Sequence, residues 1–119
     1  MAKTVTTIVV LFMNVMLFSC NEEQARIDLL EKELNIELPE PYEQIENVTE
    51  GFVDFEVRIV LKFANPEFQT LTDRITSSEL PWENDSTGYR LDNWANPHEP
   101  VHAELDSLNN TLKFSFVHL

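Results

Sequence analysis

The chain has 119 residues, 43% of them hydrophobic with eight Phe and two Trp, which is room for one domain and too apolar for a disordered chain. All 21 acidic residues lie after Cys20, against seven basic ones there, a formal −14. Such a field repels phosphate backbones and anionic head groups, so nucleic acid is excluded as a partner; the acidity serves solubility or a basic partner.

The first 20 residues read Met-Ala-Lys, a mostly apolar run from Val5 to Phe18, and then Ser19-Cys20-Asn21-Glu22-Glu23. A charged start, a short apolar segment and a small residue at the boundary are the features of a secretory signal peptide. The run is shorter than the ~20 residues of a membrane span. Leu17-Phe18-Ser19-Cys20 resembles the lipobox of bacterial lipoproteins, although Phe18 is bulkier than the usual residue at its position. The resemblance implies cleavage after Ser19, lipidation of Cys20 and an anchor in the membrane. It also explains the single cysteine, which has no partner for an internal disulfide. Asn21-Glu22-Glu23 is similar to the short acidic stretch that follows the lipidated cysteine of surface-exported lipoproteins in some Gram-negative lineages, which implies the outer membrane and its outer surface. The expected division is a signal peptide over 1–19, a lipidated acidic tether over 20–23 and one domain over 24–119.

From Gln24 to Leu34, Ile27, Leu30 and Leu34 recur at i, i+3 and i+7, which predicts an amphipathic helix, as part of the domain or as its stalk. Pro39 and Pro41 end it, and Ile36-Glu37-Leu38 suits a short strand. Residues 52–63 alternate Val53, Phe55, Val57, Ile59, Leu61 and Phe63 with mostly polar neighbours, the pattern of a strand with one wet face. Asn65 as N-cap and Pro66 as first helical residue open a second helix, with Phe68, Leu71 and Ile75 on its buried side. The stretch 77–100 reads as an ordered loop with a short strand at Tyr89-Arg90-Leu91. A terminal hairpin follows, Val101 to Asp106 and Leu112 to Val117 around Asn109-Asn110, and is expected beside the 52–63 strand. The fold class is therefore α+β: an antiparallel sheet of three to four strands, one packed helix and an N-terminal helix.

No pattern carries catalysis. His98 and His102 are four apart, but Pro100 between them removes the helix that would aim both rings at one metal. With two glycines in the chain there is neither a strained nucleophile turn nor a phosphate loop. No enzyme activity, metal or cofactor is expected. Trp82 and Trp94 bracket a polar loop with Tyr89 between them, and these rings either cap the core or stack on a protein or glycan partner. Asp85-Ser86-Thr87 and Asp106-Ser107-Leu108 resemble the O-glycosylation acceptor of envelope proteins in some Gram-negative lineages, which implies Ser86 and Ser107 as acceptors.

Ile27 to Tyr42, a helix followed by Ile-Glu-Leu-Pro and a tyrosine, resembles the opening of the SUKH superfamily of toxin-immunity proteins over about 16 residues. The glycine-rich segments of that family are absent downstream. Two functions follow as expectations: a membrane-anchored, non-catalytic envelope lipoprotein that binds a protein or glycan, and, as the alternative, an immunity-type protein that neutralises a basic toxin.

Overall fold

The computed structural model describes residues 22–51, 53–93 and 96–119. The chain is already helical at residue 22 and stays so to 34 (α1). Then follow β1 (Glu43–Glu50), β2 (Phe55–Lys62), α2 (Asn65–Thr76), β3 (Glu83–Asp85), β4 (Gly88–Asn93), β5 (Val101–Asp106) and β6 (Thr111–His118). The class is α+β, but the sheet has six strands and not three to four.

The two strands that the sequence reading passes over are β1 and β3. β1, Glu-Gln-Ile-Glu-Asn-Val-Thr-Glu, buries none of its side chains, and β3 is three exposed residues, Glu-Asn-Asp. They are the two edges of the sheet, ordered β1-β2-β6-β5-β4-β3. An edge strand held by backbone pairing to one neighbour need not alternate apolar and polar residues, so the period-2 signal is missing. Ile36-Glu37-Leu38, expected as a strand, is not one.

Every pairing in the sheet is antiparallel. β2 and β6, distant in sequence, lie side by side, with Val57 opposite Phe116, Ile59 opposite Phe114 and Leu61 opposite Leu112. β5 continues these rows with Val101, Ala103 and Leu105, and β4 adds Leu91. All of these side chains are buried and point to one side of the sheet.

Both helices cover that side. α1 brings Ile27, Leu30 and Leu34 into the core that α2 enters with Phe68, Leu71 and Ile75. α1 is thus part of the domain and not a stalk. It ends because Asn35 takes a left-handed conformation (φ 51°), from which its N–H reaches Lys32 O at 3.3 Å while Ile36 N–H reaches Glu31 O at 3.1 Å. That is the double hydrogen bond of a Schellman motif with Asn in the usual glycine place. Glu31 Oε2 also accepts from Leu38 N–H at 2.9 Å, and the Glu40–Pro41 peptide bond beyond is cis. α2 starts one residue earlier than its sequence signals suggest, with Ala64 at the N-cap and no side-chain cap. Asn65 instead turns its amide oxygen to Asn110 Nδ2, at 2.6 Å, and joins the helix to the β5–β6 turn.

Both glycines sit at hairpins with positive φ. At Gly88 (φ 151°) a Cβ would stand 2.0 Å from Leu105 O, so any side chain there pushes β4 off β5. Gly88→Ala is expected to cost about 2 kcal/mol or more through strain and clash, and Leu30→Ala or Leu71→Ala about 2–5 kcal/mol through the cavity each leaves. Denaturant melts of the three variants check this; an unchanged midpoint for Leu30→Ala would mean that α1 is not part of the cooperative core.

Candidate functional site

Because both helices lie on one side, the other face of the sheet is bare, and antiparallel register sets its side chains out in rows. One row crosses Val48, Arg58, Ser115, His102 and Asp92; the next crosses Glu46, Val60, Lys113, Glu104 and Arg90. Short Val60 and Ser115 among longer neighbours leave a shallow depression of about 180 Å³, walled by Glu46, Arg58, His102, Glu104 and Lys113. It is the natural centre of any contact on this face, since a small dip between charged rims takes a partner's side chain by its stem and its head.

The charges on the face are largely paired. Arg58 lies 3.2 Å from Glu46 through Nε and bonds Glu50 through Nη2. His102 Nδ1 lies 2.5 Å from Asp92 Oδ1 and Nε2 lies 3.4 Å from Glu104 Oε1. Arg90 Nε approaches Asp92 Oδ2 at 3.0 Å. The hydrogen bond from His102, with Arg90 assisting, holds the Asp92 carboxyl below the usual carboxylate range.

Ser115, His102 and Asp92 stand side by side on β6, β5 and β4, the order of nucleophile, base and orienting acid. The hydrogen bonds do not follow that order. Ser115 Oγ donates to Glu56 Oε1 at 3.0 Å, and the free edge of the imidazole turns along its own strand to Glu104. Sequence reading missed this row because its members come from three strands, and only their register brings them together.

A second concave region lies where α1 and α2 end. Glu31, Glu37 and Glu40 line one groove and Ser77, Ser78 and Glu79 the next, with Arg74 between them donating to Glu37 O at 2.6 Å. Among the described residues, no group of three or more His, Cys, Asp and Glu side chains is placed to hold a metal ion, and no helix is long and apolar enough to cross a membrane.

The residues singled out from sequence fall in different places. Trp82 and Tyr89 are half-buried and pack against the core. Among the described residues Trp82 Nε1 is buried without an acceptor. Trp94 and Cys20 lie outside the described residues. His98 is exposed on the β4–β5 connection, with its N–H on Asn96 Oδ1 at 3.0 Å, whereas His102 points out of β5 into the bare face. Ser86 is exposed in the β3–β4 turn and Ser107 in the β5–β6 turn, and these turns adjoin: Ser107 donates to Thr87 O through both N–H (2.8 Å) and Oγ (2.6 Å). Each turn is built on its aspartate. Asp85 Oδ1 accepts from Thr87 N–H, Thr87 Oγ1 and Gly88 N–H, and Asp106 accepts from Leu108 N–H and Asn109 Nδ2. These bonds pull both carboxyls below their ordinary range, chiefly through Thr87 N–H for Asp85 and the Asn109 amide for Asp106.

No family model matches the chain, and comparison with curated proteins and with solved structures finds none similar to it.

An aspartate whose folded pKa is depressed adds stability that is complete above its unfolded value, about 3.9, and is lost as pH falls through the folded value. Acidification below about pH 4 is therefore expected to weaken the fold through Asp85, Asp92 and Asp106. The Asp85→Asn/Asp106→Asn variant should show a shallower fall of unfolding free energy over that range. An identical slope in urea melts at several pH values would discard this account of the two turns.

Proposed function

We propose that the chain is a lipoprotein of the bacterial envelope, exported by residues 1–19 and anchored through acyl chains on Cys20. Its domain acts as a non-catalytic binding module for a protein or glycan partner. The observation that carries this reading is the apolar run from Val5 to Phe18 that closes on Leu17-Phe18-Ser19-Cys20, together with the lack of a second cysteine that could pair with Cys20. One chain of myristoyl length binds a membrane only marginally at ~0.8 kcal/mol per buried CH₂, whereas the three chains of a mature lipoprotein hold it permanently.

On the bare face Ser115 Oγ is turned to Glu56 and His102 Nε2 to Glu104, a polar surface that suits contact with a partner. Trp82, Tyr89 and Trp94 are the proposed partner contacts, and for the first two only the exposed part of a core-packed ring serves. Placement at the outer surface of the outer membrane rests on Asn21-Glu22-Glu23, and O-glycan acceptance on the exposure of Ser86 and Ser107.

A second reading, neutralisation of a basic toxin, is favoured by the groove at the ends of α1 and α2, where Glu31, Glu37, Glu40 and Glu79 outnumber Arg74. Capture of a single basic partner that is lost in high salt and on charge removal at these four glutamates would support it.

In native cells the chain is expected in the membrane fraction and Cys20→Ala in the soluble one. The intact mass of the wild type should equal residues 20–119 plus acyl groups, with hexoses added if Ser86 or Ser107 is glycosylated. A wild-type chain that stays soluble or keeps residues 1–19 would remove the lipoprotein reading.

A further inference from the structure

Few large apolar side chains of the described residues stand in solvent: Ile45 (55% exposed), Val53 (87%), Leu108 (77%) and Leu119 (57%). The first two belong to one hairpin. Ile45 falls at the irregularity of the β1 ladder, between Gln44 opposite Leu61 and Glu46 opposite Val60, and Val53 sits at the tip that joins β1 to β2. β1 is an edge, with β2 as its one neighbour in the sheet.

The N-terminal end of α1 is fastened to this same edge, between the two exposed residues. Asn47 Nδ2 donates to Glu23 O at 3.1 Å. Arg26 holds Asn47 Oδ1 through Nε at 2.5 Å, Asn47 O through Nη2 at 3.1 Å and Thr49 Oγ1 through Nη1 at 3.3 Å. From Glu22 back to Cys20 is two peptide steps, a reach of about 7 Å. Any group carried by Cys20 is therefore confined to the neighbourhood of the β1 edge.

We propose that the β1 edge and the tip of the β1–β2 hairpin form the membrane-facing surface of the protein. Ile45 and Val53 rest in the interfacial layer of the leaflet that holds the Cys20 acyl chains. The proposal rests on the lipoprotein reading. A short tether supplies a high effective concentration of lipid surface, so two apolar side chains suffice for a contact that would not form from solution. The charge chooses the lipid. Glu43, Glu46, Glu50 and Asp54 flank the two residues, with Arg58 as their near counter-charge, so the surface suits zwitterionic head groups and is pushed off anionic ones. The sheet then stands on its β1 edge, and at about 4.8 Å per strand β3 lies some 24 Å from β1 on the side away from the bilayer. The bare face of the sheet stays open to partners.

Acylation consumes the thiol of Cys20, so a cysteine introduced elsewhere is the single reactive thiol of the mature lipoprotein. Ile45→Cys, Val53→Cys and, as control in the β5–β6 turn, off the β1 edge and its hairpin tip, Leu108→Cys are labelled with an environment-sensitive fluorophore. Each chain is placed in phosphatidylcholine vesicles with and without nitroxide-bearing lipid. Labels at 45 and 53 are expected to shift to the blue and to be quenched severalfold more than the label at 108, and anionic phosphatidylglycerol should reduce the difference. Equal quenching at all three sites overturns the proposal. So does a blue shift at 45 and 53 without lipid quenching that vanishes at one chain per vesicle, because a second copy then covers the edge. The intact mass of the same samples separates the two claims. A mass without acyl groups brings down the lipoprotein reading and the proposal with it, while an acylated but unquenched chain brings down the proposal alone.

Discussion

The pairing of β2 with β6 holds the rest of the structure together. Without it the chain is two separate systems, the hairpin β1–β2 and the meander β3 to β6, and a lone two-stranded hairpin is at best marginally stable in water. With it, Leu61 meets Leu112, Ile59 meets Phe114 and Val57 meets Phe116, and three apolar rows run without a break from β2 to β5. The contact is costly to reach, because α2 and three strands must be ordered or looped out before Lys62 finds Thr111. Two hydrogen bonds lock the closed end of this pair: Phe63 N–H to Asn110 O at 2.9 Å, and Asn110 Nδ2 to Asn65 Oδ1. Asn110 can serve both because it takes a left-handed conformation (φ 53°) in the β5–β6 turn.

Once that central sheet exists, the helices have one place to go. The inner rows make a continuous apolar surface, while the outer rows carry Glu, Arg, Lys and His. α1 and α2 must bury Ile27, Leu30, Leu34, Phe68, Leu71 and Ile75 somewhere, and the inner face is the available hydrophobic surface. This segregation also divides the charge. Four of the seven basic residues, Arg58, Lys62, Arg90 and Lys113, stand on the outer face, where Arg58 pairs with Glu46 and Glu50 and Arg90 with Asp92, and the helices and loops keep Arg26, Lys32 and Arg74. The bare sheet face is therefore one of mixed charge.

The elements legible in the sequence are those whose pattern is enforced by burial on one side. β2, β5, β6 and α2 each show their period, because each packs one face on the core and wets the other. α1 was legible as a helix but not as part of the core, since a three-residue apolar stripe looks the same on a stalk and on a packed helix. β1 and β3 were not legible, because Ile45 and Val48 are the only apolar residues of β1, β3 has none, and the backbone pairing that holds an edge strand leaves no trace in hydropathy. The bare face was illegible for a related reason. Arg58, Ser115, His102 and Asp92 are neighbours through register across four strands, and register is fixed by the inner rows and not by these residues themselves. Asn65 shows the converse: its position marks the start of α2, but its side chain is taken by a turn far along the chain.

The packing of α1 bears directly on what a lipid at Cys20 would do. On a flexible stalk an anchored domain samples every orientation, and each surface is presented to the membrane in turn. Here Ile27, Leu30 and Leu34 are at most 2% exposed, and Arg26 and Glu23 are bonded to β1, so the freedom of the helix relative to the sheet is gone. With a lipid at Cys20, the slack between lipid and fold would be at most the reach of two peptide steps, about 7 Å. Orientation then becomes a property of the fold: the same contacts that bury α1 decide which edge of the sheet is nearest the point of attachment. The proximity costs no extra ordering free energy, since the helix is already fixed in the free domain. A change as remote as Leu30→Ala, which loosens α1 from the core, would loosen that orientation together with the fold.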